Sequence, residues 1–149
     1  MDNPAHYRVL YASDSPVGAI TEAFGNHRVW TDQLFDGRPE LPGSRTALAE
    51  IVASDLSALD LDDARTLLAR ELRPSRVVTR DRTVTQGWAL AIFRERRWVG
   101  IRWWSYYEPS VGSYGLWDLR KLRVRSVVAL DRTHPAVKQA TTLLARPWK

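Results

Sequence analysis

Stretches with the apolar spacing of β-strands and of α-helices follow each other irregularly along this chain, and no repeat, low-complexity tract or Gly/Ser-rich linker separates them. A doubly wound parallel fold requires a regular strand–helix alternation, which this order does not show. The chain has 149 residues and a mass of 17.0 kDa. This is enough for one hydrophobic core but short for two. We therefore predict a single domain of the α+β class over residues 1–149.

Five short segments are predicted as strands because they are apolar or rich in residues that favour extended backbone. In chain order they are residues 8–12, 56–61, 98–104, 114–117 and 124–130. Residues 46–53 are ambiguous, since their local propensity favours a helix but the stretch is short and lies between two turn-like segments. Residues 31–45 contain two prolines and two glycines and predict a loop.

The helices are predicted from capping residues and from apolar positions spaced three or four apart. Ser15 as an N-cap predicts a helix that begins at Pro16 and ends at Phe24. Its apolar face would consist of Ile20, Ala23 and Phe24. A second helix is predicted to be capped by Asp62 and to end at Arg70. A third runs from Thr83 or Thr85 to about Arg96, with an apolar stripe of Trp88, Ala89, Ile92 and Phe93. A fourth is capped by Thr133 and runs from Pro135 to about Ala145.

Positive charge is concentrated in the later part of the chain. The net charge is +5, and 19 of the 22 basic residues are arginine. Residues 1–64 have a net charge of −7, residues 65–102 of +7 and residues 103–149 of +5. Arginine binds phosphates and carboxylates through paired hydrogen bonds, so an anionic ligand or partner is favoured, and nucleic acid is the other obvious anion. An Arg-rich composition that only produces a solvated basic face explains the charge equally well.

Several kinds of chemistry are excluded by what the sequence lacks. Without cysteine there are no disulfides, thiolate metal sites, Fe–S clusters or cysteine nucleophiles. His6, His27 and His134 are not at metal-ligand spacing, so we predict no metal. Gly-rich nucleotide-binding loops and the Gly-x-Ser-x-Gly motif are absent. No apolar run approaches the roughly 20 residues of a membrane span, and no signal peptide is evident, which predicts a cytoplasmic protein without a membrane partner.

Glu22 is the first candidate for a functional residue. It lies on the predicted helix about one turn after Gly18 and Ala19, whose small side chains would let a ligand approach the carboxylate. An exposed glutamate on a helix surface is the plainer explanation.

Ser105 is the second candidate because it lies at a predicted strand end, among four aromatic residues and before a turn. Loops that follow strands commonly carry binding residues. Aromatic side chains such as Trp104 and Tyr106 can stack on a flat ring. The alternative is an aromatic-rich core strand, although seven tryptophans in this chain are more than one core readily buries.

Three blocks of the sequence resemble the RES-domain family, which is named for its Arg, Glu and Ser positions. They are Val9-Leu-Tyr-Ala-Ser-Asp-Ser-Pro-x-Gly-Ala-Ile-x-Glu22, Gln86-x-x-Ala-x-Ala91 and Gly100-Ile-x-x-x-Ser105. The match runs loosely from Asp2 to about Leu130, and the order and separation of the blocks make it more specific than any one of them.

The resemblance implies a fold similar to that of ADP-ribosyltransferases and a bacterial toxin that acts on NAD beside a co-encoded Xre-type antitoxin. The expected reaction is cleavage of the nicotinamide–ribose bond, by hydrolysis or phosphorolysis, with NAD as substrate and no added cofactor. Glu22 and Ser105 match the family glutamate and serine and are assigned as catalytic. The residues assigned to NAD binding are Tyr11, at the family's strand tyrosine position, Gln86, Trp104 and Tyr106.

One family feature has no counterpart, because this chain begins with Met1-Asp2 where the family has an arginine in an Arg-Phe-Asp-like motif. Arg8 does not match that motif and is not assigned the role, so we expect a RES-like domain that lacks the arginine-containing segment. A protein ADP-ribosyltransferase of the same family and an impaired remnant that only binds its antitoxin remain alternatives. A nucleic-acid-binding toxin using residues 65–102 is less favoured, because no histidine or acid–base pair for RNA cleavage is evident. A homo-oligomer is left open.

Overall fold

Four strands form the central sheet of the computed structural model, which describes residues 1–149. Their order across the sheet is β1 (Leu10–Ser13), β5 (Gly112–Leu116), β4 (Gly100–Trp104) and β3 (Ala58–Asp60). Both β1 and β4 pair antiparallel with β5, whereas β3 runs parallel to β4. A separate antiparallel ribbon consists of β2 (Ala47–Ala53) and β6 (Leu122–Ala129).

Five helices and one short 3₁₀ turn connect these strands. In chain order they are α1 (Pro16–Phe24), the 3₁₀ turn (Asp32–Phe35), α2 (Ala64–Ala69), α3 (Pro74–Val77), α4 (Arg82–Arg94) and α5 (Pro135–Leu144). Helices and strands mix without regular alternation in one compact domain, as predicted. None of the helices has the length and apolar character needed to cross a bilayer.

The start of α1 is as predicted, but its buried face is different. Ser15 caps the helix by accepting a hydrogen bond from the Gly18 amide. Ile20 and Thr21 are buried, whereas Ala23 is exposed, so its assignment to the apolar face was wrong. The Thr21 hydroxyl donates to the Gly18 carbonyl at 3.0 Å, which satisfies its polar atom and makes the buried position tolerable.

Two hydrophobic clusters hold the elements together. The first lies between α4 and the central sheet, and its buried members are Leu59, Leu61, Leu67, Val77, Trp88, Ala89, Ile92 and Ile101. The second joins α1 to α5, and its buried members are Ile20, Trp30, Phe35, Leu130, Ala136, Val137 and Ala140. A nine-residue helix such as α1 is not stable alone, so its packing against α5 fixes its position over the sheet.

Three members of the predicted stripe of α4 are confirmed, since Trp88, Ala89 and Ile92 are buried. The fourth, Phe93, is half-buried and its ring packs against Tyr7 and Trp117. The helix begins at Arg82, slightly earlier than predicted. Its cap is Asp81, whose carboxylate accepts hydrogen bonds from two backbone amides of the first turn.

Of the ambiguous residues 46–53, all but Thr46 form a strand, β2. Antiparallel pairing from Ala47 opposite Ala129 to Ala53 opposite Leu122 supplies the backbone hydrogen bonds of β2. This pairing outweighs the helical propensity of the alanine-rich segment, because a strand's stability depends on its cross-strand neighbours more than on its own residues.

Two predicted caps were wrong by one residue. Asp63 caps α2, while Asp62 forms an ion pair with Arg102. His134 caps α5 by accepting from the Ala136 amide through Nδ1, and the Thr133 hydroxyl instead donates to Asp131. The short helix α3 was not predicted. Asp62 and Asp63 have the same capping side chain, so the sequence alone does not rank them. Thr133 is the commoner capping residue type, but its hydroxyl is occupied by Asp131 and the neighbouring His134 caps the helix instead.

Candidate active site

Close packing of α1 on the edge of the central sheet determines where Glu22 lies. A Cβ atom at Gly18 would lie 2.5 Å from both Ser13 Oγ and Val111 Cγ1, so only glycine permits this approach. The sequence interpretation, that the small residues before Glu22 leave room for a ligand, was therefore wrong for Gly18. The space beside Gly18 is filled by the sheet, and this contact brings Glu22 to the end of β4.

Ser105 follows directly after β4 and is completely buried. Its hydroxyl donates a 2.5 Å hydrogen bond to Glu22 Oε1. The same Oγ accepts from the backbone amides of Tyr107, at 3.1 Å, and Glu108, at 3.3 Å. Ser105 thus holds the turn after β4 and the carboxylate of Glu22 in one network, although 83 residues separate the two side chains in sequence.

Glu22 Oε1 also accepts a hydrogen bond from the Tyr106 amide at 3.0 Å. Two donors therefore fix one oxygen of the carboxylate, and Oε2 has no hydrogen-bond partner within the protein. A carboxylate fixed in this way requires little reorganisation to bind a hydroxyl group or a developing positive charge.

Glu22 lines a cleft of about 530 Å³ beside the central sheet. The N-terminal residues, α1, the segment from α3 to α4 and the end of β4 line it: Met1, Asp2, Tyr11, Glu22, Asn26, Val77, Val78, Thr79, Arg80, Arg82, Thr85, Trp103, Tyr106 and Tyr107. Its walls are thus partly aromatic, and its charged groups are two carboxylates and two guanidiniums besides the terminal ammonium. The size and lining suit a small molecule with a flat ring and an anionic group.

The two arginines of the cleft are not engaged by acids. Neither Arg80 nor Arg82 forms an ion pair in the protein. The Arg80 guanidinium lies 5.6 Å from the centre of the Tyr106 ring, a cation–π contact. Both guanidiniums therefore keep donors available for an anion.

The first two residues contact the same cleft. The Met1 ammonium donates to Thr85 Oγ1 at 3.0 Å, and the Asp2 amide donates to the Tyr11 hydroxyl at 3.0 Å. Gln86 Nε2 donates to the Asp2 carbonyl at 2.7 Å. Burial, and next the charge of Arg82, lower the pKa of the Met1 ammonium, while burial raises the pKa of the Tyr11 hydroxyl.

Tyr107 closes the side of the cleft next to α1. Its hydroxyl donates to Asn26 Oδ1 at 2.9 Å, just beyond the end of the helix. Burial, and next the negative charge of Glu22, raise the pKa of this hydroxyl. Gly25 lies beneath the ring, and a Cβ atom there would lie 2.4 Å from Tyr107 Cζ.

The structure brings together only some of the residues proposed from the sequence. Glu22, Tyr11 and Tyr106 line the cleft, and both tyrosines are about half exposed. Ser105 lies behind Glu22 and does not line the cleft. Gln86 also lies outside the lining and binds the backbone of Asp2.

Trp104 does not line the cleft either, and Trp103 does. Because successive side chains of a strand point to opposite faces, Trp103 shares a face with Ser105 and Trp104 lies on the other. This alternation could have identified Trp103 from the sequence. Arg80 and Arg82 were missed as individual residues, although both belong to the segment with a net charge of +7.

Comparisons with known proteins identify relatives of this chain. The family model of the RES domain matches residues 2–142. One solved structure with a similar fold is titled as the crystal structure of the M. tuberculosis MbcT-MbcA toxin-antitoxin complex. That chain is 19% identical with a TM-score of 0.65, and the alignment covers 97% of this chain and 75% of that one. No curated protein matches the sequence.

Proposed function

Since the chain belongs to the RES-domain family, we propose that it is an enzyme that cleaves the nicotinamide–ribose bond of NAD in the cleft at Glu22. We further propose that it acts as the toxin of a toxin–antitoxin pair. The family resemblance implies the substrate, and the structural neighbour comes from a toxin–antitoxin complex. We also propose that the fold is similar to that of ADP-ribosyltransferases, because the family resemblance implies it.

The observation that carries the proposal is the orientation of the Glu22 carboxylate. Ser105 and the Tyr106 amide bind Oε1, which leaves Oε2 for a ligand. When the C1′–N bond breaks, its electron pair leaves with nicotinamide, and positive charge develops on the ribose. A fixed carboxylate stabilises that charge more in the transition state than in the bound substrate, which is the condition for catalysis.

An oxygen nucleophile then completes the reaction. The oxygen of water or of phosphate bonds to the same ribose carbon and loses a proton, giving ADP-ribose or ADP-ribose with a phosphate on that carbon. A protein side chain in place of water would make the enzyme an ADP-ribosyltransferase.

The remaining side chains of the cleft are suited to binding. Arg80 and Arg82 would bind the pyrophosphate, since both guanidiniums are free of carboxylate partners. The rings of Tyr106 and Trp103 would stack on the flat nicotinamide or adenine ring. Ser105 would act as a positioning residue, because it is buried behind Glu22 and reaches the substrate only through that carboxylate.

A partner protein follows from this chemistry. An enzyme that consumes NAD must be restrained in the cell that produces it, and the open cleft is the obvious place for an inhibitor to act. The resemblance favours a Xre-type antitoxin. We expect it to copurify from the native gene pair, and to suppress nicotinamide release when added to the isolated chain.

The direct test measures nicotinamide release from NAD by the purified chain, with and without phosphate. Mass spectrometry of the second product separates hydrolysis, phosphorolysis and transfer to protein. Glu22→Gln keeps the shape of the side chain but removes the charge. We expect it to lower the rate by about 10²-fold or more, which corresponds to roughly 2.7 kcal/mol.

Glu40→Gln is the matched control, because Glu40 is an exposed glutamate in the loop before β2, outside the cleft. It should retain the parent rate. Nicotinamide release that is the same in the parent, Glu22→Gln and Glu40→Gln would remove Glu22 from the site, and a parent that leaves NAD intact would contradict the proposed reaction.

A further inference from the structure

Glu22 and Asn26 lie on the same side of the helical backbone of α1, and both line the cleft. The helix ends at Phe24, but Gly25 keeps helical torsion angles, φ −60° and ψ −23°, and its amide donates to the Thr21 carbonyl at 2.8 Å. The backbone therefore continues its turn beyond Glu22. Residues four apart on such a turn lie one above the other, with Cβ atoms roughly 5–6 Å apart. The two side chains can thus contact one small ligand.

The side-chain amide of Asn26 is oriented by Tyr107. The Tyr107 hydroxyl donates to Asn26 Oδ1 at 2.9 Å, which connects the turn after β4 to the end of α1. Asn26 Nδ2 carries two N–H donors, and neither has a hydrogen-bond partner within the protein. Because the oxygen of the amide is held by Tyr107, the position of the nitrogen is fixed as well. Asn26 therefore presents free donors at the wall of the cleft.

The Tyr107 hydroxyl also shows that the Glu22 carboxylate is close to Asn26. Burial, and next the negative charge of Glu22, raise the pKa of that hydroxyl. Ser105 and the Tyr106 amide bind Glu22 Oε1, which leaves Oε2 as a free acceptor. One wall of the cleft thus offers a carboxylate acceptor and amide donors within reach of the same ligand.

We propose that Asn26 is a substrate-binding residue, whose Nδ2 donates to the ribose hydroxyl next to the one that Glu22 binds. This inference rests on the proposed function and adds a second contact to the same sugar. Vicinal hydroxyls suit the pair, because one hydroxyl donates to Glu22 Oε2 while the oxygen of the other accepts from Asn26 Nδ2. Two fixed contacts orient the ribose with its reacting carbon beside the carboxylate, which lowers the entropic part of the barrier.

The carboxamide of nicotinamide is the other group of NAD that carries a donor beside an acceptor. If it bound the same pair, it would occupy Glu22 Oε2 and hold the carboxylate away from the ribose. The hydroxyl pair belongs to the sugar on which positive charge develops, so binding it keeps the carboxylate beside that charge. The ribose is therefore the ligand that agrees with the role of Glu22.

Calorimetric titration of the full chain with three ligands tests this assignment without turnover. ADP-ribose carries the terminal ribose, ADP lacks it, and nicotinamide carries only the carboxamide. Asn26→Ala should weaken the binding of ADP-ribose about 3–10-fold, the value of one neutral hydrogen bond, and leave the binding of ADP and nicotinamide unchanged. Asn3→Ala is the matched control, because Asn3 lies outside the cleft lining, and it should bind all three ligands like the parent.

Tyr107→Phe is a second variant that leaves Asn26 in place. It removes the hydroxyl that orients the amide but keeps the ring. We expect a smaller loss of ADP-ribose affinity than in Asn26→Ala, and no further loss when the two changes are combined. A merely structural role of Asn26 would change the binding of ADP and ADP-ribose alike, and thermal unfolding identifies any variant that fails to fold.

The outcomes separate this inference from the proposed reaction. Equal ADP-ribose affinity in the parent and Asn26→Ala overturns the inference, while nicotinamide release by the parent would leave the reaction standing. A selective loss of nicotinamide binding assigns Asn26 to the carboxamide and overturns the inference as well. A parent that neither binds ADP-ribose nor releases nicotinamide contradicts the proposed function and the inference together.

Discussion

Replacing Ser105 by alanine tests the network that joins β4 to α1. The change removes the donor that binds Glu22 Oε1 at 2.5 Å and the acceptor of two backbone amides. Loss of a hydrogen bond to a charged group costs about 1.5–3 kcal/mol. Tyr107 and Glu108 are only half-buried, so water can reach their amides and the additional cost is small. We expect the free energy of unfolding to fall by about 2–3 kcal/mol, or roughly 4–12 °C in Tm.

Ser113→Ala is the matched control, because Ser113 is also a buried serine of the central sheet but its Oγ has no hydrogen-bond partner. Removal of an unpaired buried hydroxyl should leave stability within about 0.5 kcal/mol of the parent, or raise it. Urea unfolding provides the comparison, with the midpoint compared at constant m-value. If both variants unfold at the same urea concentration, the Ser105 network does not stabilise the fold and the argument is wrong.

Activity separates a positioning role for Ser105 from a purely structural one. Without Ser105, Glu22 keeps its charge but loses one of the two donors that orient it. For the proposed reaction, we expect kcat to fall more than KM rises. The loss should shrink in a Glu22→Gln background, since removal of the carboxylate charge takes away what Ser105 positions. An equal loss in both backgrounds would show that Ser105 acts independently of Glu22.

Two other substitutions test the packing and the electrostatics. Gly18→Ala should destabilise the fold by about 1–3 kcal/mol, because its Cβ would lie 2.5 Å from Ser13 and Val111. Gly87→Ala is the control, since its Cβ would meet no atom within 4 Å and the change should be neutral or stabilising by up to about 1 kcal/mol. Equal unfolding midpoints of the two variants would refute the packing argument. Hydrogen bonding from Arg70 lowers the pKa of Glu95 below its usual 4.5. The contribution of this ion pair to the free energy of unfolding is therefore complete above pH 4.5 and is lost as the pH falls through the pKa of the folded state. Glu95→Gln should therefore lower Tm at pH 7 and flatten its fall between pH 5 and 3, and an unchanged Tm profile would contradict this sign.

Local sequence signals predicted the elements whose stabilising groups lie close in sequence. The Ser15 cap and Pro16 define the start of α1, and the spacing of Trp88, Ala89 and Ile92 defines the buried side of α4. The β2 segment could not be assigned in this way, because its hydrogen-bond partners in β6 lie about 75 residues away. For the same reason the sequence did not reveal that β2 and β6 form a ribbon separate from the central sheet.

The candidate site was predictable as residue types but not as an arrangement. Glu22 and Ser105 came from motif positions, and no local pattern indicates that one binds the other across the fold. Trp104 was proposed on residue type alone, which does not distinguish it from Trp103. The correct choice depends on which of the two side chains lies on the same face of β4 as Ser105. Gln86 was assigned to the ligand, but its amide binds the backbone of Asp2. A polar side chain near a site meets protein groups as readily as a substrate, and only the folded contacts distinguish them.

The uneven distribution of charge along the sequence leaves positive charge unneutralised at the cleft. Five of the seven ion pairs join an acid of residues 1–64 to a base from Arg102 onward, so these two parts of the chain partly neutralise each other. Of the ten arginines in residues 65–102, only Arg70 and Arg102 form ion pairs. The positive potential therefore remains concentrated on the segment that contributes Arg80 and Arg82 to the cleft, facing a carboxylate that is fixed on one oxygen and free on the other. A ligand with an anionic group at one end and a positive charge at the other satisfies both groups at once, which a purely anionic polymer does not.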